Sequence, residues 1–235
     1  MIGMLNAERK IILTDDGSHT ICLEGGDITF HSKRGAIQES RHVFLESGYK
    51  RARELFPDEI LKILEVGFGT GLNAFLTCIE SENSSCPVRY TSLETHPLET
   101  TTTAALNYPE HLGYADSFDS LHLASWTSPA KIHQNFTLQK HVTDLLDFAT
   151  MDRYHLVYFD PFGPELQPHL WTEDVFQRIA ELMQKDAVLV SSTANASVAK
   201  SLKTAGMHTE LLNVPGREKH MLRATQSLKR VLLSS

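Results

Sequence analysis

The chain has 235 residues, a formal net charge of −7 and a hydrophobic fraction of 41%. These values are typical of one soluble globular domain with a sizeable core, and they exclude a disordered chain. No apolar run is long enough to cross a bilayer, and the first residues carry no basic segment followed by an apolar one, so we predict a cytoplasmic protein without membrane contact. The negative charge also excludes a general attraction for nucleic acid.

The spacing of cysteine and histidine argues against metal chemistry. The three cysteines lack the paired CxxC spacing of zinc and redox motifs, and the twelve histidines form neither an HExxH nor an HxH arrangement. We therefore predict that the protein has no metal site and that it works in a reducing compartment, where its cysteines stay unpaired.

The N-terminal part of the chain is predicted to form a small antiparallel β meander followed by a helix. The short apolar runs of the meander, separated by turn signals, occupy residues 11–14, 19–23 and 27–31. After Gly35 the apolar residues recur at helical spacing up to Pro57. The predicted division of the chain is into this appendage, packed on the rest, and a main domain, residues 1–58 and 59–235.

The main domain alternates short apolar runs with helical patterns, which is the signature of βαβ units in a largely parallel sheet. The predicted strands are residues 62–66, 88–94, 137–142, 155–160, 187–192, 209–214 and 219–224. Helices are predicted after Gly71, from Pro97, from the N-cap Thr172 and from the N-cap Asn195. For residues 108–135 we predict a loop or short helices. The fold class is therefore α/β, a doubly wound Rossmann-like sheet.

The strongest local signal is a glycine-rich turn between the first strand of the main domain and the following helix. Gly67, Gly69 and Gly71 occupy alternate positions, where the absence of a Cβ lets the backbone turn sharply and approach a ligand. A tight turn without a ligand is the alternative. A phosphate-binding P-loop is excluded because no Gly-Lys-Ser/Thr follows. The pattern predicts a ligand loop but does not choose the ligand.

Acidic residues follow the next two strands. Glu94 is placed to accept hydrogen bonds from both hydroxyls of a ribose, although a solvated strand end is the alternative. Asp144 is placed to accept from the exocyclic amine of an adenine, or else to cap a helix. Ribose recognition of this kind serves nicotinamide and S-adenosylmethionine alike, so an oxidoreductase stays an alternative.

A third acid, Asp160, ends the fourth strand and is followed by Pro161 and Phe162. This sequence resembles the Asp-Pro-aromatic signatures of methyltransferases that act on amino groups. Such a carboxylate can receive hydrogen bonds from an amine and point its lone pair at a methyl donor. The alternative is a turn-forming Asp-Pro. Because the glycine turn and the three acids follow successive strands, we expect them to meet around one ligand at the switch point of the sheet.

With these motifs the chain resembles, nearly end to end, the methyltransferase domain of the MnmC family of bifunctional tRNA 5-methylaminomethyl-2-thiouridine biosynthesis proteins and its stand-alone relatives. The most specific segments are Gly35-Ala36-Ile37-Gln38-Glu39-Ser40 and Gln167-Pro168-His169-Leu170-Trp171-Thr172. The resemblance implies a class I S-adenosylmethionine-dependent methyltransferase that converts 5-aminomethyl-2-thiouridine into 5-methylaminomethyl-2-thiouridine at the wobble position of tRNA.

The same resemblance implies roles for individual residues. Asp160 would be the catalytic residue that holds the acceptor amine. Glu94 would bind the ribose of S-adenosylmethionine and Asp144 its adenine. The remaining implied cofactor-binding residues are Glu65, Gly67, Phe68, Gly69, Thr70, Gly71 and Asn73. The implied substrate-side residues are Gln38, Glu39, Ser40, Phe162 and Trp171.

The resemblance also bears on partners. The bifunctional relatives carry a second, flavin-dependent domain that exposes the primary amine, whereas this chain has a single glycine turn of this kind, so we expect no flavin here and a separate flavin-dependent enzyme that supplies the substrate. Departures from the family pattern lie on the acceptor side, at Pro161, at Gly163 and at residues 194–196. They leave open another amine acceptor, on a small molecule or a protein. An acidic chain would need a local basic patch or a partner to hold tRNA.

Overall fold

The computed structural model describes residues 9–23, 28–84, 86–214 and 220–226. The strands are β1 Arg9–Leu13, β2 His19–Leu23, β3 Leu61–Val66, β4 Val88–Glu94, β5 Ala130–His133, β6 Phe136–Val142, β7 Tyr154–Phe159, β8 Met183–Ser191, β9 Met207–Asn213 and β10 His220–Gln226. The helices are α1 (residues 36–55), α2 Leu72–Ser81, α3 Thr100–Ala104, α4 Tyr108–Leu112, α5 Ala115–Leu123, α6 Glu173–Leu182 and α7 Ala196–Thr204. The middle of α1, Arg41–Lys50, has the wider hydrogen bonding of a π-helix.

A single large sheet carries the fold, with the strand order β5-β6-β4-β3-β7-β8-β10-β9. The five central strands β6, β4, β3, β7 and β8 are parallel to one another. Strand β5 is antiparallel to β6, and β10 is antiparallel to both β8 and β9. Strand β7, near the middle, is buried along its whole length. This confirms the predicted α/β class with a largely parallel, Rossmann-like sheet.

Two hydrophobic layers cover the two faces of the sheet. Alternate residues of β7 point into different layers, since Tyr158 joins the cluster that contains Phe44 of α1 and Phe75 of α2, while Val157 joins the cluster that contains Phe176 of α6. The period of two along a strand explains this division. Helices therefore pack on both faces, which is the doubly wound arrangement.

Helix α1 packs closely against the sheet at a glycine. A Cβ at Gly48 would lie 2.9 Å from Val190 Cγ2 and 3.1 Å from Tyr158 Cε1, so a larger residue would push the helix away from β7 and β8. The helix assigned to the N-terminal appendage thus forms part of a layer of the main sheet. The division at residue 58 stays a prediction.

The predicted elements of the main domain agree well with the structure. Each of its seven predicted strands is present, with shifts at the ends, although residue 219 lies outside the described residues. The two predicted N-caps are confirmed, because Thr172 accepts a hydrogen bond from Val175 N and Asn195 accepts one from Val198 N. Helix α3 begins at Thr100 and not at Pro97, because Glu99 has an extended backbone.

Two regions differ from prediction. Strands β1 and β2 form the predicted antiparallel pair, but the third run of the meander makes a single bridge, between Cys22 and Thr29, while residue 27 lies outside the described residues. The chain turns away after this bridge, and His31 Nε2 lies 2.8 Å from Thr70 Oγ1 in the glycine turn. Residues 108–135 contain the predicted short helices and also β5, which alternation did not reveal because this strand has only four residues.

Among the described residues, no helix is long and apolar enough to span a membrane.

Candidate active site

A cleft of about 810 Å³ lies across the carboxyl ends of β3, β4, β7 and β8. It falls where the sheet order reverses, because β4 and β7 flank β3 on opposite sides. Open α/β sheets bind their ligands at this switch point, and cofactor sites occupy roughly 300–1,000 Å³. The predicted site residues that line the cleft are Glu39, Gly67, Phe68, Gly69, Thr70, Asn73, Glu94, Asp144, Asp160 and Phe162.

The glycine turn approaches the end of β7 so closely that a side chain would not fit. Gly67 has a φ of 95°, and a Cβ there would lie 2.9 Å from the carbonyl oxygen of Asp160. Gly71, with a φ of 73°, directly precedes α2 and is not among the residues that line the cleft. Two of the three glycines, Gly67 and Gly69, thus place backbone at the cleft.

Glu94 links its strand to the glycine turn. Its Oε2 accepts a hydrogen bond from Gly69 N at 3.0 Å, and its Oε1 accepts one from His96 N at 2.9 Å. An ionised carboxylate has about four acceptor sites, so each oxygen keeps one for a ligand hydroxyl. Glu94 is therefore a fixed and partly buried carboxylate, which argues against a merely solvated strand end.

Asp144 forms a local hydrogen bond and also borders the cleft. Its Oδ1 accepts from Leu146 N at 3.0 Å within a turn, and no helix follows among the described residues before β7, so the alternative of a helix cap is wrong. Its Oδ2 lies 4.0 Å from His169 Nε2, and the residue lines the cleft. The turn bond uses one oxygen and leaves the other on the side of His169, so adenine recognition stays a prediction.

Asp160 is held by side chains from two different elements. Its Oδ2 accepts from Asn73 Nδ2 at 2.9 Å, and its Oδ1 accepts from Ser192 Oγ at 3.3 Å. Burial raises the pKa of this carboxyl to about 8, and the negative charge of Glu39 adds to the rise. The cleft therefore holds an oriented carboxyl that titrates near neutral pH, which suits an acid–base role.

Glu65 lies beneath the cleft and does not line it. The residue is 0% exposed, and its Oε2 accepts from Ser92 Oγ at 2.6 Å. Burial raises the pKa of this carboxyl to about 8. The structure thus places Glu65 as a supporting residue behind the glycine turn, so direct contact of Glu65 with a cofactor finds no support here.

Phe68 borders the cleft, but its ring is packed among other side chains. The ring centroid lies 5.7 Å from that of Trp126 and 5.2 Å from Lys140 Nζ. Lys140 is 1% exposed, lies 4.6 Å from the Trp126 ring and donates to the carbonyl oxygen of Leu121. The alternation of β6 predicts that residue 140 faces inward. The sequence did not predict, however, that the lysine there stacks on aromatic rings in a cation–π contact.

The predicted substrate-side residues divide into three groups. Glu39 and Phe162 line the cleft, and the Phe162 ring contacts that of Phe30 at 5.1 Å. Trp171 lies behind them, where its Nε1 donates to the carbonyl oxygen of Phe162 at 2.8 Å. Gln38 lines a second depression and Ser40 is fully buried, so the structure does not bring these two to the cleft.

Several cleft residues were missed by reasoning from the sequence. Phe30 and His31 come from the segment after the meander, and Ser192 follows β8. Ser192 is the last residue of a predicted strand, so its place at the carboxyl end of the sheet could have marked it. Across the residues that the structure describes, no group of three metal-binding side chains is present.

Comparison with known proteins agrees with this geometry. Residues 120–227 match the model of a family described as S-adenosyl-L-methionine-dependent methyltransferase. The chain is 29% identical over 228 residues to the tRNA 5-methylaminomethyl-2-thiouridine biosynthesis bifunctional protein MnmC of Pseudomonas putida (strain W619), covering 86% of this chain and 32% of that protein. The chain thus spans about a third of the length of this curated relative.

Solved structures give the same picture. The crystal structure of MNMC2 from Aquifex aeolicus matches with a TM-score of 0.77 and 26% identity, covering 94% of this chain and 71% of that one. Spermidine synthase from Thermotoga maritima matches with a TM-score of 0.57 and 13% identity, covering 95% of this chain and 70% of that one, which shows a shared fold.

The fold, the cleft and the family match over residues 120–227 are those expected of an S-adenosylmethionine-dependent methyltransferase. The chain is similar in sequence to MnmC and in structure to MNMC2.

The residues present fit this cofactor. Gly67, Gly69 and Thr70 of the turn line the cleft, and Glu94 retains acceptor sites next to them. Asp144 borders the cleft beyond them.

Proposed function

We propose that the protein methylates the aminomethyl group of 5-aminomethyl-2-thiouridine at the wobble position of tRNA. The observation that carries the proposal is the oriented carboxyl of Asp160, held by Asn73 and Ser192 at the edge of the cleft. The homology to MnmC supports the choice of substrate. A tRNA-modifying role also supports a place in the cytoplasm.

Separate groups of residues would serve the cofactor and the acceptor. We propose that Glu94 holds the ribose, that Asp144 holds the adenine and that the backbone from Gly67 to Thr70 holds the methionine part. When bound, S-adenosylmethionine supplies an electrophilic methyl group on a sulfonium centre. Glu39 and Phe162 would then lie on the acceptor side of the cleft.

Asp160 would act on the acceptor amine. It accepts hydrogen bonds from the amine and so directs the nitrogen lone pair towards the methyl carbon. If the amine arrives as an ammonium, the ionised form of Asp160 takes one of its protons and becomes the carboxylic acid, because a carboxyl with a pKa of about 8 is close in proton affinity to the amine. This carboxyl therefore both orients the nucleophile and removes the proton that would block it.

Basic residues at the cleft support RNA as the partner despite the acidic chain. Arg9, Arg34 and His220 all line the cleft. Arginine pairs well with phosphate oxygens, so these arginines offer local contacts to RNA phosphates in a chain whose net charge is −7. A flavin-dependent enzyme that exposes the primary amine would supply the substrate.

A methyltransferase for a small cationic amine is a second candidate. The carboxylates of Glu39 and Asp160 in the cleft and the acidic chain would both attract such a molecule. Activity towards a pool of amine metabolites, compared with activity towards tRNA, separates the two candidates.

The direct test is nucleoside mass spectrometry of tRNA incubated with the protein and S-adenosylmethionine. The tRNA should come from cells that lack this methylation, and Asp160→Asn is the matched inactive control. We expect conversion of aminomethyl- to methylaminomethyl-2-thiouridine by the wild type alone. Methylation of amine metabolites without any change in tRNA would contradict the proposal.

A further inference from the structure

Two buried acceptor oxygens beneath Asp160, Oδ1 of Asn73 and Oε1 of Glu65, have no hydrogen-bond partner among the described residues. The hydroxyl of Tyr90, a donor that faces Glu65, also has none. The side chain of Asn73 is a hydrogen-bonding neighbour of the Glu65 carboxyl, and its Nδ2 is already engaged with Asp160 Oδ2 at 2.9 Å. Asn73 therefore stands between two carboxyl groups.

The two oxygens cannot satisfy each other while both are acceptors. An ionised carboxylate and an amide oxygen carry no hydrogen to share, and a buried acceptor without a donor is destabilising. A proton on Glu65 Oε1 removes the conflict, because a carboxylic acid can donate to Asn73 Oδ1. Ser92 Oγ still donates to the other oxygen of Glu65.

We propose that Glu65 is a positioning residue that stays protonated at neutral pH and, through a hydrogen bond to Asn73 Oδ1, keeps the Asn73 amide turned with its Nδ2 towards Asp160. The inference rests on the proposed role of Asp160 as the residue that orients the amine. Glu65 touches neither the cofactor nor the acceptor and acts only through Asn73.

The surroundings of Glu65 keep the proton in place. Burial raises the pKa of its carboxyl to about 8, and the nearby Asp160 adds to the rise. The titratable groups that face Glu65 are Tyr90 from β4, Asp160 at the end of β7 and Tyr158 within β7. Helix α2 presents the uncharged amide of Asn73. The Ser92 and Tyr90 hydroxyls are donors that face the Glu65 carboxyl and lower its pKa, but burial outweighs them, and a negative charge on Asp160 would hold the proton more tightly.

Glutamine is the discriminating substitution at this position. In Glu65→Gln the amide oxygen accepts from Ser92 and the amide nitrogen donates to Asn73 Oδ1, so the variant reproduces the protonated acid. In Glu65→Leu neither bond forms. We expect Glu65→Gln to keep more than roughly a third of the wild-type kcat at neutral pH and Glu65→Leu to lose about tenfold or more, with both variants keeping their affinity for S-adenosylmethionine.

The pH profile separates positioning from a merely structural role. Above about pH 8 the wild type loses the proton of Glu65, whereas Glu65→Gln keeps its donor. The ratio of the variant kcat to the wild-type kcat should therefore rise as the pH passes this value. A strong loss of kcat in folded Glu65→Gln at neutral pH, or a ratio that stays flat with pH, would overturn the proposal.

A measurement that does not depend on turnover tests the protonation itself. Carbon-13 NMR of protein labelled at the glutamate carboxyl carbon should show one carboxyl protonated at neutral pH in the wild type and in Asp160→Asn, and none in Glu65→Gln. Full ionisation of every glutamate at neutral pH would overturn the proposal. If the NMR result holds but the wild type methylates no amine, then it is the proposed function that fails.

Discussion

The cofactor half and the acceptor half of the cleft are built in different ways. In the cofactor half, Glu94 and Asp144 accept hydrogen bonds from backbone amides, those of Gly69, His96 and Leu146. In the acceptor half, Asp160 accepts from the side chains of Asn73 and Ser192, which come from distant parts of the chain. Backbone donors thus orient the carboxylates of the first half, and side-chain donors orient the carboxyl of the second.

This difference predicts that the two halves fail separately. Loss of Asp160 should have the largest effect, because the carboxyl orients the nucleophile and leaves the cofactor half intact. We expect Asp160→Ala to lower kcat for methyl transfer by roughly a hundredfold or more, with nearly unchanged affinity for S-adenosylmethionine. Turnover under saturating cofactor and calorimetric titration check the two parts. Wild-type turnover would move the acceptor role elsewhere.

Loss of Glu94 should give the reverse pattern. Removing the carboxylate leaves two ribose hydroxyls without a charged acceptor, so Glu94→Ala should cost about 2 to 4 kcal/mol of binding, or roughly thirtyfold or more in affinity. The exposed Glu99, a few residues further along, provides the control Glu99→Ala. Calorimetry that shows equal affinity for a folded Glu94→Ala and its control would remove Glu94 from the site.

A methyl group at Gly67 should damage both halves at once. Its Cβ would meet the carbonyl oxygen of Asp160, and its φ of 95° is strained for any other residue. We expect Gly67→Ala to lower the cofactor affinity and kcat together, roughly tenfold each. Parallel calorimetry and turnover measurements check this. An unchanged kcat at saturating cofactor would show that the turn and the end of β7 move independently.

A further expected effect is on stability and on its dependence on pH. Glu65 has a pKa of about 8 in the folded protein, against an ordinary value of 4.5, so the unfolded chain releases its proton first as the pH rises. The stability that it contributes is full below about pH 4 and is lost as the pH approaches 8, by at most about 1.4 kcal/mol per pH unit.

Glu65→Gln should remove this dependence. The free energy of unfolding of the variant, relative to the wild type, should therefore increase between about pH 6 and pH 8. Denaturant unfolding at several pH values measures it. A difference that does not change with pH would place the Glu65 pKa near its ordinary value.

The same contrast explains what the sequence could predict. The strands, the glycine turn and the positions of Glu94 and Asp160 follow from apolar runs and from residues that end them, which are local signals. The two helix N-caps, Thr172 and Asn195, were also predicted correctly from such local signals.

The rest depended on contacts that the sequence does not show. The resemblance implied cofactor binding for Glu65, but the alternation of β3 turns this side chain into the core beside Ser92. Gln38 and Ser40 share a family-specific segment with Glu39, yet only Glu39 faces the cleft, because successive helical residues point in different directions.

The most direct test of the account is a comparison of two tRNA substrates with labelled S-adenosylmethionine. A carboxymethylaminomethyl group would bring a carboxylate beside Glu39, where like charges repel in a partly desolvated cleft. The same negative charge would raise the pKa of Asp160 further and so disfavour the ionised form that accepts the amine. The account predicts label in tRNA that carries the aminomethyl group and none in tRNA that carries the carboxymethylaminomethyl group, even with added FAD, and it predicts that Asp160→Asn labels neither. Equal incorporation into both tRNAs would contradict it.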